Sequence, residues 1–428
     1  MESITRPMKK LFWIPALFIA LFSCKDDDQA EVQPTPTVVN HANITVDERY
    51  LDNGEDVNAI SGKFFVSDQS GEILISQEVA NGGEYAFTSE VGAEEQVGKY
   101  DLTATLVLDR PSFKTALITT FLDVPASSDI HFNRMIPNTL PVSDHYYLTV
   151  TSERPLQPYS IAGSNFTVES QSDNEMSIRF SSSSAIESLY VVLMAEDGVA
   201  RYYFKEDITP NQSDTISFET LPEAPFQFNF EFPDLDGFGS KVWAKRTASD
   251  QQRYRVFESG IHAQNEDHEL FMPTGLFELY EMTTNYRLDD KKYTIYEKRE
   301  NLSSTFETSS LEGTYSGSTP LDFLLQSEDD EAYYKARFML LLEADSLGKF
   351  QFHEWQIHGK ADQIMELSLP DLLDEIGLEA IEISDFELSN VTMVKLSGNP
   401  DYADYINLQT DVNMAPFDVA DLVEEVMW

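Results

Sequence analysis

Phe226-Gln227-Phe228-Asn229-Phe230-Glu231-Phe232 puts an aromatic ring at every second position with a polar side chain between. Side chains alternate between the two faces of a β-strand but recur every three to four positions on a helix, so this run predicts a half-buried strand with an apolar inner face. The pattern recurs outward in the chain. Tyr100, Leu102, Ala104, Leu106 and Leu108 alternate with mostly polar neighbours, as do Met176, Ile178 and Phe180. Turn signals separate such runs: Asp68-Gln69-Ser70-Gly71, Asn81-Gly82-Gly83, Asp197-Gly198, and Asp345 to Gly348. Strands joined by tight turns predict a mainly β protein. The expected architecture is two to three antiparallel β-sandwich modules, immunoglobulin-like or transthyretin-like, with a few short helices.

Two helices are expected. Pro370 to Ile376 starts with proline in the first turn, carries Leu372 and Leu373, and stops at Gly377. Asp418 to Met427 has an N-capping aspartate and a stripe of Val419, Leu422, Val423, Val426 and Met427 opposite Asp421, Glu424 and Glu425. The length of 428 residues suits about three domains. Breaks near Pro137 and over Ser303 to Ser310 divide the chain into modules at 43–138, 143–308 and 311–428.

The N-terminus reads as an address. Arg6, Lys9 and Lys10 precede the apolar run Leu11 to Phe22, which is too short for a bilayer span of about 20 residues. It ends in Leu21-Phe22-Ser23-Cys24, and Cys24 is the one cysteine in the chain, which excludes an intramolecular disulfide. This tetrad resembles the lipobox of bacterial lipoproteins. The resemblance implies a signal peptide over 1–23, lipidation of Cys24, and anchoring to the outer membrane. Lys25-Asp26-Asp27-Asp28 resembles the acidic export tag of Bacteroidota surface lipoproteins and implies an outward-facing protein. Residues 24–42, with two Pro-Thr steps, form the expected flexible tether. Gly83, Tyr85 and Phe87 resemble a motif of the small all-β spacer modules in such lipoproteins. Asp214-Thr215-Ile216 and Asp345-Ser346-Leu347 resemble the O-glycosylation sequon of exported proteins in that group.

Acidic residues outnumber basic ones 74 to 29, a net charge of −45, so the chain has no general cation excess for nucleic acid. The charge is uneven. Residues 241–299 hold ten basic and ten acidic residues, whereas residues 300–428 hold five and 27, a net of −22. The neutral middle either attracts an anionic ligand or consists of cations paired with their neighbours.

Within it, a strand reading points Val242 and Ala244 inward and Lys241, Trp243 and Lys245 outward, with Arg246 next. An outward indole beside hydrogen-bonding groups suits a sugar, whose C–H face packs on an aromatic ring. Trp355 is a second aromatic candidate, with Tyr333-Tyr334 and Tyr402/Tyr405 behind it. Asp234-Leu235-Asp236-Gly237 has the alternating carboxylates of a calcium loop but lacks its distal glutamate; calcium is the one cofactor left open. His353 and His358 are five apart, so a strand sends them to opposite faces and no zinc pair forms. His262 and His268 lack a recognisable third ligand. Gly313-Thr314-Tyr315-Ser316-Gly317 misplaces the serine of a nucleophile elbow.

These readings favour a lipid-anchored surface protein with non-catalytic ligand binding. Carbohydrate is preferred by analogy with surface lipoproteins that capture glycans, beside an outer-membrane transporter partner. The alternatives are a structural or adhesive protein and an extracellular hydrolase, for which the carboxylates are too many to single out a pair. Lipidation is checked directly: Cys24→Ser is expected to lose incorporated palmitate and move the protein from the membrane to the soluble fraction.

Overall fold

The computed structural model describes residues 37–428 except 55, 58, 92–97, 135–143, 158–161, 164–165, 183–187, 210, 260–267, 330, 345–347 and 362–371. The signal peptide, Cys24, the Lys25–Asp28 tag and most of the tether lie outside the described residues, as do His262 and Ser346.

The structure is mainly β, with several sheets and no closed barrel. Its largest element is a 12-stranded sheet. From one edge the order is Tyr254–Glu258, Asp236–Lys245, Leu279–Leu288, Lys291–Arg299, Leu422–Met427 and Glu387–Leu396. It continues through Tyr333–Leu342, Phe350–Lys360, Phe113–Pro125, Lys99–Asp109, Ser61–Ser67 and Ile73–Glu78. All neighbours are antiparallel except Phe350–Lys360 and Phe113–Pro125, which run parallel with Phe350 opposite Phe113 and His358 opposite Phe121. The sheet draws strands from all three segments marked out in the sequence.

Each face is covered differently. On one face of the N-terminal end, a three-stranded sheet of Glu84–Val91, Thr37–Val46 and Ser128–Phe132 packs with the helix Tyr402–Thr410 over Phe64, Tyr100, Leu102 and Phe121. On the other face, the hairpin Gly313–Ser316/Leu324–Ser327 and the helix Leu372–Glu375 close a core of Phe65, Tyr334, Phe338, Trp355, Phe386 and Met393. In the middle segment, Met176, Ile178 and Phe180 face Leu189, Val191 and Leu193 across a sandwich. Alternate residues Tyr190 and Val192 join that sandwich to Val242, Ala244 and Tyr254 of the large sheet.

The period-two runs largely become strands. Met176, Ile178 and Phe180 lie on Glu175–Ser182, and Tyr100, Leu102 and Ala104 lie buried on Lys99–Asp109. In Phe226–Phe232 the strand covers Phe226–Asn229, with a bulge between Phe226 and Phe228 and Phe226 half exposed. Phe230 and Phe232 continue beyond it into a cluster with Phe238, Phe257 and Phe306. Asp68–Gly71 and Asp197-Gly198 turn hairpins, with Gly71 and Gly198 at φ 84° and 82°. Asn81-Gly82-Gly83 does not: the strands on either side of it belong to different sheets.

The C-terminal helix is corrected. Only Pro416–Val419 is helical, and Leu422–Met427 is a strand between Lys291–Arg299 and Glu387–Leu396. A central strand needs apolar groups on both faces, and an odd interval supplies them: Val423 joins one core and Val426 the other. That double requirement mimics a helical stripe. The helix expected from Pro370 is observed over Leu372–Glu375, its Leu372 and Leu373 buried; Pro370 itself lies outside the described residues.

Burial sets acid and base sensitivity. His353 and His358 point to opposite faces, both buried; desolvation lowers His353 to about 4 and holds His358 well below the ordinary histidine value. Between pH 6.5 and about 4 the unfolded chain therefore binds protons that the folded chain refuses, and stability falls as pH drops. Asp101 has the opposite sign. Burial, followed by the nearby Asp123 and Asp68, pushes its carboxyl up to about 7, against the N–H that Asp123 donates to it at 2.9 Å. Its contribution is complete below the unfolded value of 3.8 and is lost as pH rises through about 7. Asp101→Asn keeps that acceptor without the charge. Its melting temperature is expected to match the parent near pH 4 and to exceed it near pH 8, by on the order of a few kcal/mol in stability.

Candidate ligand cleft

The chain ends beside a cleft of about 870 Å³ lined by Asp234, Asp236, Arg287, Asp289, Asp290, Lys292 and Trp428, with Leu235, Leu288 and Met427 as apolar wall. Its size is that of a small-molecule site. Three local features build it. Asp236 opens the strand Asp236–Lys245 and lies opposite Arg287. Asp289 and Asp290 turn the hairpin between Leu279–Leu288 and Lys291–Arg299, both at positive φ (49° and 65°). Asparagine and aspartate tolerate that left-handed conformation better than other side chains do. Trp428 is tied by its backbone N–H to the Val391 carbonyl at 3.0 Å. The Lys291 ammonium lies 4.9 Å from the indole centroid, and Tyr315 meets the ring edge-on at 6.0 Å.

The cleft thus combines acceptors (four carboxylates), donors (Arg287 and Lys292) and a part-exposed indole. Among the described residues no group of three or more His, Cys, Asp or Glu is arranged to hold a metal ion. Asp234 and Asp236, the sequence's calcium candidates, stand in the cleft wall.

The aromatic candidates from the sequence fare differently. Val242 and Ala244 are fully buried, and Trp243 is part exposed on the other face, as the alternation requires. Its cationic neighbours are engaged, however. Lys241 pairs with Glu258 at 2.8 Å, and Lys245 and Arg253 hold Glu281 at 2.6 and 3.2 Å. The Arg253 guanidinium lies 5.7 Å from the Trp243 centroid and covers that ring. Arg246 and Arg255 pair with Glu206 and Glu258. The electrically neutral middle is thus largely a set of ion pairs on a sheet face, with Trp243 beneath one of their guanidinium groups.

Trp355 is withdrawn from any ligand surface. It is completely buried, its Nε1–H donating to Thr120 at 3.0 Å, because its strand sits in the centre of the sheet with the core on that face. Tyr333, Tyr334, Tyr402 and Tyr405 are all buried as well; Tyr333 and Tyr402 stack on each other at the wall of a second cleft of about 370 Å³. His268 packs against Phe232 with ring centroids 4.1 Å apart. Asp214 is held near 2 by hydrogen bonds from Lys205, Tyr146 and Tyr203, and the adjoining Thr215 is exposed. Trp428, a cleft aromatic that sequence reasoning missed, sits among acidic residues with no nearby cation in the sequence; Lys291 reaches it only through the fold.

No protein-family model matches the chain, and no curated protein matches it. Among solved structures, the chain is similar to the tip fimbrial protein Mfa3 from Porphyromonas gingivalis with C-terminal truncation, at 12% identity. The match covers 62% of this chain and 100% of that one, with a TM-score of 0.15.

Glu281 is 2% exposed between its two cations, so removing its charge leaves Lys245 without a partner. Glu281→Gln is expected to cost about 3 kcal/mol in chemical denaturation, the range for breaking a buried ion pair.

Proposed function

We propose that this protein is a lipid-anchored surface protein that captures carbohydrate, without catalysis, in the Trp428 cleft. One observation carries the reading: a part-exposed indole shares a cleft with carboxylates and an arginine. Sugar C–H faces pack on an aromatic ring, while vicinal hydroxyls donate to carboxylates and accept from guanidinium. The Lys291 ammonium and Tyr315 hold the indole in place before a ligand arrives, which lowers the ordering cost of binding. The anchor and outward orientation rest on the lipobox and acidic tag of the sequence. With that tether, ligand capture at the cell exterior is the role that the cleft serves.

Arg287 and the aspartates engage hydroxyls rather than formal charge, so binding is expected to change little with ionic strength. On a glycan array, Trp428→Ala and Arg287→Ala are each expected to weaken the binding signal by about tenfold or more. Trp243→Ala is expected to leave it unchanged. Loss on Trp243→Ala with retention on Trp428→Ala overturns the assignment.

A further inference from the structure

Another cavity opens near the Ile73–Glu78 edge of the large sheet. It measures about 440 Å³, within the range of small-molecule sites. Its walls come from the end of the helix Leu372–Glu375 and from the strands Ser61–Ser67, Ile73–Glu78 and Lys99–Asp109. Leu51, Ile60, Val79, Val107 and Ile376 supply the apolar lining. The segments that carry three of them are tied down by their backbones. The Leu51 N–H donates to the Asn81 side chain at 2.7 Å, the Ile60 N–H to the Leu51 carbonyl at 3.1 Å, and the Val79 N–H to the Gly62 carbonyl at 2.9 Å. The cavity is therefore formed before a ligand arrives, which lowers the ordering cost of binding.

Inside it, the hydroxyl protons are already used. Thr105 Oγ1 donates to the Lys63 carbonyl at 3.1 Å, and Ser61 Oγ donates to the Val107 carbonyl at 3.3 Å. A hydrocarbon entering here leaves no donor stranded. The mouth is different. Lys63 Nζ donates to the Glu375 carbonyl at 2.9 Å and to its carboxylate at 3.1 Å, so the end of the helix holds this cation. Glu78 stands directly opposite Lys63 on the neighbouring strand, yet its carboxylate makes no hydrogen bond or ion pair among the described residues. Two carboxylates thus meet one ammonium at the rim, in a chain of net charge −45. An anion has to draw Lys63 away from Glu375 and pass Glu78, whereas a cation completes the set.

We propose that this cavity is a binding site separate from the Trp428 cleft and that it takes a small amphipathic amine. The hydrocarbon body packs against Leu51, Val79, Val107 and Ile376, and the ammonium group sits at Glu78. An ammonium ion has donors and no acceptor, which suits a carboxylate without a partner. This site stands independently of the carbohydrate reading of the cleft.

The test is calorimetric titration of the full chain with phenethylamine and hexylamine. The alcohols and acids of similar bodies serve as comparisons: phenethyl alcohol, hexanol, phenylacetate and hexanoate. The amines are expected to bind about tenfold more tightly than the alcohols, and the acids more weakly than either. Glu78 is exposed, so Glu78→Gln is expected to keep the parent melting temperature and to bring the amines down to the alcohol level. Val107→Phe, checked for a retained melting transition, narrows the cavity and is expected to weaken amines and alcohols alike. Trp428→Ala is expected to leave amine binding as it is. Equal affinity for amines and alcohols, or no change in Glu78→Gln, overturns the proposal. Acids binding best place the ligand on Lys63 and overturn it as well. Amine binding lost in Trp428→Ala and kept in Val107→Phe assigns the amines to the cleft instead, and silence from all six compounds overturns the site itself.

Discussion

The parallel ladder between residues 113–121 and 350–358 is the constraint on which the rest of the structure depends. It joins chain segments more than two hundred residues apart and makes one sheet of what would otherwise be separate antiparallel pieces. Strands on either side of it are buried on both faces, which explains side chains that a half-exposed sheet would not tolerate. Thr103 and Thr120 hydrogen-bond to each other at 3.0 Å within the core, and Trp355 donates to Thr120. Polar atoms there survive because each finds another, at a net gain of about 1 kcal/mol per bond and a larger loss if one is removed.

The same continuity creates the open surface. A sheet this wide needs covering layers, and its two faces receive different ones. The helix Tyr402–Thr410 shields one face only as far as His358, whose Nδ1 lies 3.1 Å from the Tyr405 hydroxyl. Beyond His358, Lys335, Arg337 and Gln356 on that face are part exposed, while Glu354 is buried and paired with Arg337. Exposed Leu341, Phe350 and Phe113 mark its far end on neighbouring strands. One face of the sheet is therefore a packed core under the helix and a part-exposed polar strip beyond it.

Charge follows a similar division. A large negative charge keeps the protein soluble and apart from its neighbours, at the cost of self-repulsion. Cations of the middle segment are spent locally, on Glu258, Glu281 and Glu206. Lys291 and Lys292 are exceptions: one lies against Trp428 and the other at the cleft rim.

The sequence by itself determined the strands, two of the hairpins and the inward set Val242 and Ala244, because a period of two and a glycine or aspartate at positive φ are local properties of the chain. It also marked Asp234 and Asp236 as a candidate calcium loop, through their alternation before a turn. It could not distinguish the strand Leu422–Met427 from a helix, since burial on two faces and burial on one helical stripe leave the same residues apolar. Nor could it tell which of Trp243, Trp355 and Trp428 lines a cleft, since that depends on what packs over each ring and not on its flanking residues. Tertiary structure alone decided those cases: exposure and the pairing of charges depend on contacts between residues far apart in the chain, and no local pattern encodes them.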